Sequence, residues 1–248
     1  MSTRWINVVY ILWLIVLRNY TMGQALYHQR YPEACRDAME FYSEFEAELN
    51  HSASASNLEP AFLFGIVAPE VSQYNQINDY MELYALKILY SQKGTGYADF
   101  SVGFFKMKPS FIERMERFVC ANESLKEKHT SILFDDPNCK SARIERLERL
   151  ESIEWQIRYL CLFCEIMDVK FGQKIYPSNE AKLAFFASAF NSGFHKSEAE
   201  IVSMQSKKLF PANETGFLFL STILLPLVCK RPYWSTTEMY LLVLNRTS

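Results

Sequence analysis

The 248-residue chain is 49% hydrophobic and 15% aromatic, carries a formal net charge of −2, and has no basic run. That composition supplies a sizeable core for one large domain and excludes the electrostatic footprint of a nucleic-acid binder. Only 8 residues are Gly, which argues against a turn-rich all-β fold and against low-complexity disorder.

Residues 1–25 read as a secretory signal peptide. Arg4 is the positive start, INVVYILWLIVL (6–17) the apolar stretch, and Gly23-Gln24-Ala25 a small-x-small cleavage site. The stretch is about 12 residues against the roughly 20 that a membrane-spanning helix needs, so no stable span is expected after cleavage. Arg18 interrupts the approach to the cleavage site, which leaves an uncleaved anchor as the alternative.

Residues 26–57 follow as an N-terminal helix and linker. Met39, Tyr42, Phe45 and Leu49 sit at helical spacing over 36–50, and HSASASN (51–57) reads as polar linker. The segment 58–248 then holds the main domain. An apolar helix over 58–68 runs into Pro69-Glu70. An amphipathic helix over 78–92, capped by Asn78 or Asp79, ends at Gly94 and Gly96. Residues 97–109 form a loop or short strands, and helix resumes over 111–119. The three-four period from Ile144 to Met167 predicts one long helix over about 141–169. Ser178 or Asn179 begins a helix that stops near Gly193. GFLFLSTILLPLV (216–228) is too short to span a membrane and reads as a buried core helix. The fold class is therefore all-α with a short loop or β excursion.

Cys35, Cys120, Cys139, Cys161, Cys164 and Cys229 lie beyond the signal, an even number that permits disulfides in an oxidising compartment. Cys161 and Cys164 have CxxC spacing inside a helical stretch, where they read as two small apolar residues on one face. With four His and none near a Cys pair, no metal site and no cofactor is expected. Asn-x-Ser/Thr sequons stand at Asn19, Asn50, Asn122, Asn213 and Asn245.

Glu70 follows an apolar helix. Desolvation there would raise its pKa and let it donate a proton near neutral pH, as glycosidic cleavage requires. A surface Glu after a helix-ending Pro is the alternative. Asp99, in Gly-x-Ala-Asp, reads either as a turn residue or as a second carboxylate. Tyr74, Tyr97, Phe104 and Phe105 are candidate platforms for sugar rings, with core filling as the alternative.

Taken in order, these segments resemble the lysozyme-like superfamily, in its branch of lytic transglycosylases and goose-type lysozymes. Glu70-Val71-Ser72 matches the family's catalytic Glu with Ser at +2. Gly103-Phe104-Phe105-Lys106-Met107-Lys108-Pro109 matches its G-L-M-Q-x-x-P loop on Gly and Pro. Tyr159-Leu160 matches a helix bearing G-x-x-Y-L, with Gln156 in place of the Gly. Ala189-Phe190-Asn191-Ser192-Gly193 matches A-Y-N-A-G, and Thr237 and Tyr240 echo a C-terminal Thr-x-x-Tyr. The match spans about residues 58–240.

The resemblance implies a lysozyme-like single domain that is exported to the periplasm or secreted, and that cuts the β-1,4 MurNAc–GlcNAc bond of peptidoglycan glycan strands. It makes Glu70 the acid/base, and it assigns substrate contacts to Ser72, Tyr74, Gly103, Phe104, Phe105, Lys106, Met107, Phe190 and Asn191. Asp99 lies near a loop Asp of goose-type lysozymes, as a candidate second carboxylate for a hydrolase. A transglycosylase lets the sugar's own 6-hydroxyl attack and needs only one Glu. The bacterial origin that the resemblance implies removes the meaning of the sequons.

Two departures stand out. Lys106 replaces a Gln, and its charge favours an ionised Glu70. Phe190 replaces a Tyr whose hydroxyl reaches the Glu or the sugar, a loss of about 1–3 kcal/mol where the partner is buried. A catalytically weak or inactive envelope protein that binds peptidoglycan is the alternative function.

Overall fold

The structure is a computed structural model and describes residues 32–74 and 76–205. This part is all-α, as the sequence pattern indicates. Its helices are α1 (Pro32–Glu44), α2 (Glu46–Ala55), α3 (Pro60–Val71), α4 (Gln76–Lys93), α5 (Pro109–Cys120), α6 (Glu123–Lys128), α7 (Lys140–Glu151), α8 (Ile153–Phe171), α9 (Asn179–Ser192) and α10 (Glu198–Gln205), with a 3-10 turn at Thr130–Ile132. The signal peptide, the 216–228 run, Cys229, Thr237 and Tyr240 lie outside the described residues. Among the described residues, no helix is long and apolar enough to cross a membrane.

Two helices form the centre because they are apolar on nearly every face. In α3, Leu63, Phe64, Ile66, Val67 and Ala68 are fully enclosed, and in α8 so are Ile157, Leu160, Phe163, Cys164 and Met167. Helices α1, α2 and α9 pack on α3, while α2, α5, α7 and α9 pack on α8. Cys161 and Cys164 are free thiols in this core, as their place on one helix face suggested. Burial pushes the Cys161 thiol up to about 11 and raises Cys164 well above its ordinary value.

Three boundaries differ from those read in the sequence. The expected linker at 51–57 is helical through Ala55, with Ala53 buried. Its end is a Schellman motif: Asn57 takes a positive φ of 54°, Leu58 N–H bonds Ala53 O at 2.8 Å, and Asn57 N–H bonds Ser54 O at 3.2 Å. Small Ala and Ser residues gave no apolar period from which to see this turn. The single helix expected over 141–169 is two. Ser152 adopts extended backbone and its Oγ accepts Trp155 N–H at 3.4 Å, capping α8 while the apolar period continues across the break. Finally, α3 does not stop at Ala68. Proline's fixed φ lies in the helical range, so Pro69 forfeits one hydrogen bond without ending the helix, and Glu70 sits inside the last turn.

A buried ion pair ties α4, α5 and α7 together at the periphery. Arg146 Nε and Nη2 donate to the two carboxylate oxygens of Glu116, both at 2.7 Å, and Nη1 donates to Tyr90 Oη at 3.2 Å. This network fixes α4 against the body that carries the groove described next.

Candidate functional site

Residues from five segments line one groove with a volume of about 610 Å³: Glu70 and Gln73 from the end of α3, Glu82 from α4, Asp99, Lys106 and Met107 from the loop before α5, Arg114 from α5, and Phe190, Asn191 and Ser192 from the end of α9. The groove thus brings together Glu70, Lys106, Met107 and Asn191, which are far apart in the chain.

Glu70 is partly buried. Among the described residues no hydrogen-bond donor holds its carboxyl, so little offsets desolvation of the anion. Burial pushes its pKa up to about 7, against the pull of the Lys106 ammonium. The charge of Lys106 thus reduces the upward shift without cancelling it, and the protonated acid stays accessible near neutral pH.

The loop wall is a single antiparallel bridge closed by a four-residue turn. Val102 N–H bonds Met107 O at 2.9 Å, Met107 N–H bonds Val102 O at 3.1 Å, and Lys106 N–H bonds Gly103 O at 3.1 Å. Gly103 has φ +76°, and a Cβ there would stand 2.3 Å from Gln156 Nε2, so both conformation and space demand glycine. Lys106 also has a positive φ, of 49°, unusual for a side-chain-bearing residue.

Two buried polar side chains hold this turn. Gln156 Oε1 accepts Phe105 N–H at 3.0 Å while its Nε2 donates to Leu150 O at 2.9 Å. Asp79 Oδ1 accepts Gly103 N–H at 2.8 Å and lies 3.3 Å from Lys106 Nζ. The sequence reading made Asp79 a candidate cap of its helix. It is instead buried, 8% exposed, and turned toward the loop.

Several residues expected at the substrate stand elsewhere. Phe105 is fully buried in the core. Phe104 packs between Phe41, Phe45 and Tyr74, with ring centroids 5.0, 6.0 and 4.4 Å away. Phe105 thus fills the core and the partly buried Phe104 packs against it, which is the alternative reading. Tyr74 and Gly103 support the turn and do not line the groove. Ser72 ends its own helix, its hydroxyl donating to Pro69 O at 2.8 Å.

Asp99 lines the groove, but Ser110 occupies both its oxygens, through N–H at 2.9 Å and Oγ at 2.7 Å. It supplies the start of α5 with the cap that Lys108 lacks. Phe190, 8% exposed, packs edge-on against Phe111 and Phe163, at 5.2 and 5.3 Å. Asn191 is exposed, and its Nδ2 donates to Ala187 O at 3.3 Å, which leaves its Oδ1 unbonded among the described residues. Gly193 ends α9 at φ +107°, where a Cβ would meet the His195 ring at 2.6 Å.

Sequence reasoning missed Gln73, Glu82, Arg114 and Ser192 on the groove wall. Ser192 carried a signal, its place beside Asn191 in the matched Ala189–Gly193 segment, and the other three carried none.

The arrangement offers a partly buried acid, Glu70, in a groove that also holds Glu82, Asp99 and the cations Lys106, Lys108 and Arg114, with the Asn191 amide and the Ser192 hydroxyl at the end of α9. It is suited to giving a proton to a bound, largely uncharged chain and taking one back. Comparison of the chain with protein-family models, with curated proteins and with solved structures finds no match.

Proposed function

We propose that the chain is an exported muramidase, a lytic transglycosylase that cuts the β-1,4 bond between MurNAc and GlcNAc in peptidoglycan with Glu70 as its single acid/base. The observation that carries this reading is the meeting of Glu70, its carboxyl held near pKa 7, with Asn191 in one groove. Asn191 belongs to the segment whose order after Glu70 resembles the family.

In this mechanism protonated Glu70 gives its proton to the glycosidic oxygen as the C1–O bond breaks. The 6-hydroxyl of the same sugar then attacks C1, and the Glu70 carboxylate takes the hydroxyl proton. The products are a free 4-hydroxyl on one chain and a 1,6-anhydro end on the other, and Glu70 is protonated again. Asp99 is not needed, which agrees with the engagement of both its oxygens by Ser110. Asn191, with a free carboxamide oxygen, is suited to an N-acetyl N–H. Export rests on residues 1–25.

A second reading is a lysozyme-like envelope protein that binds glycan and cleaves little. The packing of Phe190 favours it, since an apolar ring stands where the family places a hydroxyl near the acid. Mass spectrometry of purified sacculi incubated with the protein separates the readings. Anhydro-muropeptides support the transglycosylase, reducing ends indicate a hydrolase, and binding without release indicates the second reading.

A further inference from the structure

Three groups converge on the buried carboxylate of Asp79. Gly103 N–H donates to it at 2.8 Å, the Lys106 ammonium lies 3.3 Å away, and the carboxylate's charge acts on the Tyr74 hydroxyl, whose pKa is raised by burial first and by Asp79 second. The Tyr74 ring also lies under the same ammonium, 5.4 Å from Nζ to centroid. The Lys106 and Asp79 side chains are only 16% and 12% exposed, so solvent screens this pair weakly. Lys106 is committed to this place by its backbone, which enters the left-handed region at the last position of the turn.

Lys106 and Glu70 line the same groove, and the ammonium pulls the Glu70 carboxyl toward its ionised form. An uncompensated ammonium within about 4–6 Å lowers a carboxyl pKa by about 1–3, enough to deprotonate a general acid at neutral pH. A carboxylate bonded to that ammonium turns the point charge into an ion pair, whose field falls off faster with distance. We propose that Asp79 is a positioning residue which holds Lys106 as a neutralised pair and so keeps Glu70 in its proton-donating form.

The other charged groups lining the groove are Glu82 on α4, Asp99 and Lys108 before α5, and Arg114 on α5. From the helices packed on α3, α9 brings the uncharged Phe190, Asn191 and Ser192, while α1 and α2 contribute no residue to the groove. Tyr42 of α1 packs on Phe64 of α3. None of these groups changes in the test below.

The inference deepens the reading of Glu70 as proton donor and rests on it for its catalytic consequence, yet the titration itself needs no substrate. The full-length chain, labelled with carbon-13 at Glu Cδ, gives the Glu70 carboxyl signal by its loss in Glu70→Gln. Asp79→Asn keeps an oxygen for Gly103 N–H and removes the charge, and the Glu70 midpoint should fall by about one pH unit. Asp79→Glu restores the charge and should return the midpoint toward wild type. Lys106→Gln should raise it, and the double variant Asp79→Asn/Lys106→Gln should lie close to wild type.

If Asp79 only braces the turn, Asp79→Glu should disturb Glu70 at least as much as Asp79→Asn, and the double variant should fall furthest. That pattern, or an unmoved midpoint in Asp79→Asn, overturns the proposal. Should Asp79→Asn fail to fold, Asp79→Glu with and without Lys106→Gln carries the same decision: the midpoint must stay near wild type in the first and rise in the second. Sacculus digestion by the wild type is read separately. Its failure would remove the glycan-cleaving function and leave the titration result standing.

Discussion

Gly103 and Gln156 are fitted to each other across 53 residues of chain. The glycine leaves the space that the Gln156 side chain fills, with a hypothetical Cβ only 2.3 Å from Nε2, and Gln156 Oε1 accepts the N–H of Phe105 two residues on. The loop wall of the groove is therefore held from the core helix α8.

Gly103→Ala should accordingly be severe, because it meets both a positive φ and a filled space. We expect a loss of about 2–4 kcal/mol, read by thermal or urea denaturation. Gln156→Ala leaves the buried Phe105 N–H unpaired and should cost about 1–3 kcal/mol. Equal stability of Gly103→Ala and wild type would show that the turn is not built as described.

The residues that the sequence located and those it missed differ in a physical way. Glu70, Asn191 and Met107 sit in short local patterns, a helix end or a turn, where neighbours in the chain define the geometry. Asp79 and Gln156 act on backbone 24 and 51 residues away, and no local pattern marks such a partner. Phe104 and Phe105 were ambiguous because an aromatic ring satisfies a sugar platform and a core equally well. Only the observed packing assigns them to the core. Helix type was legible almost throughout from the apolar period. The break at Ser152 was not, since the period runs through it.

The elevated pKa of Glu70 has a consequence for stability. A carboxyl whose pKa is raised on folding contributes stability that is full below its unfolded value, and this is lost as pH rises through the folded one. For Glu70 that window runs from about 4.5 to about 7. Glu70→Gln removes the titration, so the variant should gain relative to wild type as pH rises through this window, by about 3 kcal/mol above pH 7. Denaturation midpoints at pH 4 and pH 8 check this, and a difference between the two proteins that does not change with pH would contradict it. Cleavage by the wild type should fall as pH rises above 7, because the donor loses its proton.

Asp99 and Phe190 separate the reaction types. If the 6-hydroxyl of the sugar attacks, Asp99→Asn should leave cleavage within a few-fold of wild type and cost under about 1 kcal/mol, since the amide oxygen still accepts from Ser110. A hydrolase that uses Asp99 to activate water should lose about 10²–10⁴ in rate. Phe190→Tyr places a hydroxyl at the groove and should raise the activity of a weak enzyme. A protein that only binds glycan should show none before or after. Rates of muropeptide release from sacculi measure both.

The buried Arg146–Glu116 pair should be essential to the fold and silent in the chemistry. Glu116→Ala leaves a guanidinium buried without its bidentate partner, and a loss of about 3–5 kcal/mol is expected in chemical denaturation. Retention of full stability would show that the pair is solvated.

The most direct test of the central claim compares wild type with Glu70→Gln on purified sacculi, with released material identified by mass spectrometry. Wild type should release anhydro-muropeptides. Glu70→Gln should bind the same sacculi and release at least 10²-fold less, because the amide keeps the shape of the acid but neither gives nor takes the proton. Undiminished release by Glu70→Gln, or no release by wild type at any pH below 7, would contradict the assignment of Glu70 as the acid/base.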